Sequence, residues 1–195
     1  MAIAKQGSDA MNGFDATNTG RAALLWSAIL GLTALVGSYA FACVFPFAAI
    51  AAVAALTLSR REAVAVVAAT FAANQIVGFA FLGYPHEATT YAWGGVILIG
   101  AGAALIAATV IARLRKLPSL LQRPAALLGA IVAYQIAMFA GAWALDGFAS
   151  STPTIVAQVA LNDALWFAGL FAVRVLLGRL WATRFGSLDL QTARG

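Results

Sequence analysis

Apolar residues dominate six stretches of the chain, at about residues 22–41, 43–58, 63–82, 91–112, 125–145 and 154–178, with short polar clusters between them. None of the six has one wet and one dry helical face, and none alternates with period two. They are apolar on most sides, as helices of a lipid-facing bundle are. At a rise of ~1.5 Å per residue, ~20 residues cross a hydrocarbon core of ~30 Å. Five stretches reach that length. The second is short and carries Pro46 in its first turn, so a thin or tilted span is expected there. Pro46, Pro85, Pro118, Pro124 and Pro153 all fall at or just outside the ends of the stretches, where a missing N–H does least harm. The pattern predicts an all-α polytopic membrane protein, a six-transmembrane-helix bundle over 22–178. Residues 1–21 and 179–195 read as tails, the first of them flexible, and no signal-peptide pattern is seen.

Composition supports the membrane class: of 195 residues, 63% are hydrophobic and 10% charged, with mean hydropathy +0.89. A soluble domain is about half apolar and a quarter charged. Charge placement then supplies orientation. Lys5 and Arg21 precede the first stretch, and Arg60 and Arg61 separate the second from the third. Arg113, Arg115, Lys116 and Arg123 separate the fourth from the fifth, and Arg179, Arg184 and Arg194 follow the sixth. The remaining connections, around 41–46, 83–92 and 146–154, hold no lysine or arginine. By the positive-inside rule both termini are expected in the cytoplasm of a multi-pass protein of a bacterial cytoplasmic (inner) membrane. The net charge of +5 belongs beside anionic lipid, not nucleic acid.

With topology assigned, several polar residues fall near one depth: Asn74 on the third helix, Gln135 on the fifth, Asn162 and Asp163 on the sixth. Gln75 adjoins Asn74, and Gln158, Asn162 and Trp166 recur every four residues along one stripe. Polar groups inside a bilayer cost free energy unless partnered, so these should face one another or a cavity. They either staple helices or line a site. An intramembrane acid such as Asp163 points to function by default. Towards the non-basic end come Tyr84, His86, Glu87, Tyr91 and Trp93 in one connection, and Trp143, Asp146 and Phe148 in the next. These read as an interfacial aromatic belt with loop acids, or together as the rim of an outward-opening pocket over the amides. Cys43, the lone cysteine, is a packed thiol, a reactive thiol or a soft-metal ligand. Small residues repeat at Ala23, Ser27 and Gly31, at Ala48 and Ala52, and at Gly94, Gly95, Gly100 and Gly102. Such ridges pack neighbouring helices or dock a second membrane protein.

Catalytic motifs are absent. There is no His-Glu-x-x-His, no Gly-x-Ser-x-Gly and no phosphate-cradling glycine loop. No enzyme activity and no required cofactor are expected. The chemistry is that of binding.

The Ala23/Ser27/Gly31 ridge and the outer polar cluster resemble the substrate-binding subunits (S-components) of energy-coupling-factor vitamin transporters. The resemblance is one of architecture over 22–178. It implies an uptake subunit with small-molecule, vitamin-like ligand binding from the outer side at Asn74, Gln75, Tyr84, His86, Glu87, Trp93, Gln135, Trp143, Gln158, Asn162, Asp163 and Trp166. It further implies docking through Ala23, Ser27 and Gly31 on a transmembrane coupling subunit with ATPases. A cobalamin-specific subfamily is similar in holding cobalt through an outward-side cysteine, which would make Cys43 the metal ligand and a corrinoid the cargo. The competing expectation is a structural or assembly subunit packed against a larger membrane complex, with its polar residues serving only as glue. A third is an intramembrane enzyme using Asp163 or His86. An open cavity around Asn74, Gln135 and Asn162 separates the first from the second.

Overall fold

A computed structural model describes residues 24–32, 45–114, 118–145, 147 and 152–185. Among them are six helices and no strand: α1 (24–32), α2 (Phe47–Thr57), α3 (Arg60–Ala80), α4 (Ala88–Ala112), α5 (Ser119–Ala144) and α6 (Pro153–Phe185). Ala23, Cys43, Asp146 and Phe148 lie outside the described residues, as does the second half of the first expected span.

Four of these helices are long and apolar enough to cross a membrane: Arg60–Ala80, Ala88–Ala112, Leu120–Ala144 and Pro153–Arg179. Each begins earlier than hydropathy alone indicates, because polar residues ride on the first turns. The start of α3 is the clearest case. Ser59 accepts from the Glu62 N–H, and the Glu62 carboxylate accepts from the Ser59 N–H at 2.9 Å. This capping box satisfies two end donors and opens the helix at Arg60, where the apolar run suggested 63. At the other end of the chain, α6 continues to Phe185. The helix thus runs on past the span end expected at 178, and Arg179 and Arg184 belong to it. Pro124 also departs from expectation, lying inside α5 and not at its edge. It sits in the second turn, so only the Leu120 carbonyl loses its i→i−4 donor.

The largest difference concerns the second stretch. Here α2 is 11 residues long, ~16 Å at ~1.5 Å per residue, about half a hydrocarbon core. Neither a thin nor a tilted span describes it. It starts after Pro46 and is buried from Phe47 to Ala54 on every side. Helices α3, α4, α5 and α6 all pack on it. Six of its residues are alanine, which lets four neighbours approach one axis. Ala48 and Ala52 are fully covered, so that ridge packs within the bundle.

Adjacent long helices run in opposite directions. Arg60 opens α3 and Arg113 follows α4, and both line one groove. Gln122 Nε2 on α5 donates to the Ala112 carbonyl at 2.6 Å, holding the α4–α5 connection at the same end. α4 and α5 share the longest interface. Close approach there rests on Gly100, where a Cβ would come within 3.0 Å of the Tyr134 ring.

Candidate functional site

The polar residues of the interior sort into two levels. The inner level is the start of α2. A helix leaves its first four N–H groups without intrahelical partners, and water is not at hand inside a bundle. Pro46 stands at the cap and offers no side-chain acceptor. Proline also brings no N–H of its own, and the three donors ahead of the first regular i→i−4 bond, at Phe47, Ala48 and Ala49, all find acceptors. Phe47 N–H donates to the Phe45 carbonyl at 2.9 Å and Ile50 N–H to the Pro46 carbonyl at 3.1 Å. Between them, Ala49 N–H donates to Asp163 Oδ1 at 2.8 Å, and Ala48 N–H bonds to the same carboxylate. Asp163 is 1% exposed, so α6 supplies from 114 residues away the N-cap that α2 lacks. The positive end of the short helix and the acid face each other. Phe47 stacks on Tyr134 of α5 at 6.1 Å and packs on Phe45 at 4.5 Å, which closes this level with aromatic rings.

The same level carries two unsatisfied groups. Thr70 Oγ1 on α3 and Gln135 Nε2 on α5 are buried without a hydrogen-bond partner among the described residues.

The outer level belongs to α3, its following loop and the first turns of α4. Asn74 is buried and its Oδ1 accepts from Gln75 Nε2 at 3.2 Å. The Gln75 carbonyl oxygen faces Gly94 of α4, where a Cβ would stand 2.9 Å from it. One turn further out, Phe79 stacks on His86 and on Tyr91, both at 5.2 Å, and meets Tyr84 edge-on at 6.0 Å. His86 Nδ1 and the Tyr91 hydroxyl are hydrogen-bonded at 2.8 Å. The loop reaches this shape because α3 ends tightly: Phe81 and Leu82 N–H groups both donate to the Val77 carbonyl, and Tyr84 N–H to the Gly78 carbonyl. Gly83 turns the chain with φ of 68°, a conformation that favours glycine. Tyr84 then lies flat over Gly78, leaving no room for a Cβ there.

The expected site residues are thus divided. Asn74, Gln75, Tyr84 and His86 form one continuous cluster on α3 and its loop. Glu87 is exposed at the start of α4, where its carbonyl accepts from Tyr91 N–H. Trp93 is half-buried against Gly147 of the α5–α6 connection. Trp143 is 76% exposed on α5. On α6, Asp163 and Leu170 form the buried stripe. Gln158 lies five residues before Asp163, ~140° round the helix, and is exposed, whereas Asn162 and Trp166 are half-buried. Of the docking ridge, Ser27 and Gly31 are half-buried on α1. Near them, Trp26 Nε1 donates to Thr57 Oγ1 at 3.0 Å, and the Arg174 guanidinium sits 5.6 Å from the Trp26 ring. Three participants escape sequence reasoning: Tyr134, Thr70 and the backbone of Ala48 and Ala49. An acid and a proline-led short helix were both visible, but nothing in the residues pairs them.

Among the described residues, no group of three or more His, Cys, Asp or Glu could hold a metal ion. The chain matches no protein-family model, no curated protein and no solved structure.

Proposed function

We propose that the protein is a six-helix inner-membrane subunit, both termini cytoplasmic, that captures a flat, largely apolar vitamin-like molecule from the outer side. The observation that carries this reading is the ring cluster Phe79, Tyr84, His86 and Tyr91, gathered one helical turn beyond the Asn74–Gln75 amides. Apolar walls with a few convergent polar groups suit such a ligand. Gln135 Nε2, buried and unpartnered among the described residues, is a further donor on a second helix, at the inner level. The inward placement of the termini is supported by the arginines at 60, 61 and 113, which gather at one end of α3 and α4. Docking on a transmembrane coupling subunit through Ala23, Ser27 and Gly31, and cobalt ligation of a corrinoid by Cys43, complete the proposal.

A second reading, an assembly subunit of a larger membrane complex, is favoured by one observation. Asp163 accepts from the α2 backbone at Ala48 and Ala49, which supports an architectural task for the one acid at that depth among the described residues.

Native mass spectrometry of the gently purified chain separates the two. The capture reading expects a small molecule to accompany the wild-type protein and to be depleted in Asn74→Ala and His86→Ala. Release of partner subunits or lipid alone, identical in all three proteins, would overturn it. Cys43→Ser tests cobalt ligation; equal corrinoid retention removes that part.

A further inference from the structure

At the arginine-bearing end, away from both polar levels, α3 and α4 part to leave a groove of about 220 Å³ lined by Arg60, Ala63, Val64, Leu105, Ile106, Thr109, Val110 and Arg113. Its floor is sealed by Ala63 and Leu105, 3% and 8% exposed, while Val64, Ile106 and Val110 are more than half exposed along its sides. A closed drug-sized pocket would enclose ~300–1,000 Å³. This one is smaller and open sideways, along the length of two membrane-crossing helices.

Its polarity is equally one-sided. Thr109 Oγ1 donates to the Leu105 carbonyl at 2.7 Å, so the wall presents no free hydroxyl donor. The nearest acid in sequence, Glu62, is turned back on the Ser59 N–H. Neither Arg60 nor Arg113 has an ion-pair partner among the described residues. Two uncompensated guanidiniums therefore stand at the mouth of an aliphatic trough. A guanidinium matches phosphate oxygens bidentately, and anionic headgroups are the phosphates found at that depth.

We infer that this groove holds one anionic phospholipid, its phosphate between Arg60 and Arg113 and an acyl chain along Val64, Ile106 and Val110. The site is independent of the outer cluster and of the capture reading. It also explains why α3 begins at Arg60 through a capping box: the cap fixes the first turn, and with it the arginine, at the lipid surface.

The test is lipid titration of the full-length purified protein in neutral detergent, followed by native mass spectrometry. Dioleoyl-phosphatidylglycerol should be retained in preference to dioleoyl-phosphatidylcholine. The pair Arg60→Gln/Arg113→Gln should weaken phosphatidylglycerol binding about thirtyfold, from the usual contribution of each basic residue near a headgroup. Arg60→Lys/Arg113→Lys, which keeps both charges, should restore most of that binding, whereas Arg61→Gln should leave it unchanged. Equal retention of the two lipids, or no loss in the double glutamine variant, would overturn the proposal. Complete displacement of the lipid by inorganic phosphate would do so as well, by making the site one for free anions.

Discussion

The inner level around α2 and the outer level around Phe79 use polar groups in opposite ways. At the inner level every backbone donor of the first turn of α2 is satisfied, and Asp163 is sealed from solvent. At the outer level His86 and Tyr91 are exposed, and their one mutual hydrogen bond could be exchanged for water. The first arrangement is what a bundle needs in order to hold a half-length helix inside it. The second lies open at the rim, where its stacked rings can hold the loop and still meet a ligand. An acid at mid-depth is thus weaker evidence of function here than aromatic rings at the rim.

The sharpest break of this comparison is Asp163→Ala. It orphans two buried N–H groups, for about 2–5 kcal/mol of lost stability. Asp163→Asn keeps an acceptor oxygen and should recover more than half of that loss. Reversible unfolding in mixed micelles measures both. Equal, small losses would mean that water reaches the start of α2 and that the inner level is open.

Next in size is Gly100→Val, which pushes a branched side chain into Tyr134 across the α4–α5 contact; overpacking of this kind costs about 1–3 kcal/mol. Gly102→Ala is the matched control. Nothing lies within 4 Å of a Cβ at Gly102, so the helix should gain about 0.5–1 kcal/mol from the removed glycine. Two losses of equal size would show that α4 packs through the opposite face.

The helical class and four membrane-length helices were legible because hydropathy over ~20 residues is a strong signal. The Asn74–Gln75 pair and the His86 loop were legible as neighbours, because they follow each other on one helix and its exit. What could not be read was the status of α2. A buried half-length helix and a short span have the same apolar composition. Only the tertiary bond from Asp163 to Ala49 distinguishes them, and it joins residues 114 apart. The spread of α6 was hidden for a related reason. Gln158, Asn162 and Trp166 share a stripe by spacing, but which stripe faces inward is set by Asp163 and Leu170.

The smallest predicted effect is at the rim, and it bears most directly on function. Tyr91→Phe removes the hydroxyl from His86 Nδ1 while keeping the ring stacked on Phe79. The freed Nδ1 is exposed and can turn to water, so stability should change by no more than about 0.5 kcal/mol. Binding is another matter, because the hydrogen bond fixes the plane of the imidazole that a flat ligand would meet. The expected outcome is an unchanged unfolding midpoint together with reduced retention of the co-purifying molecule. A stability that falls by more than about 1 kcal/mol, beyond what an exposed hydrogen bond contributes, would place the ring cluster with Asp163 among the supports of the fold.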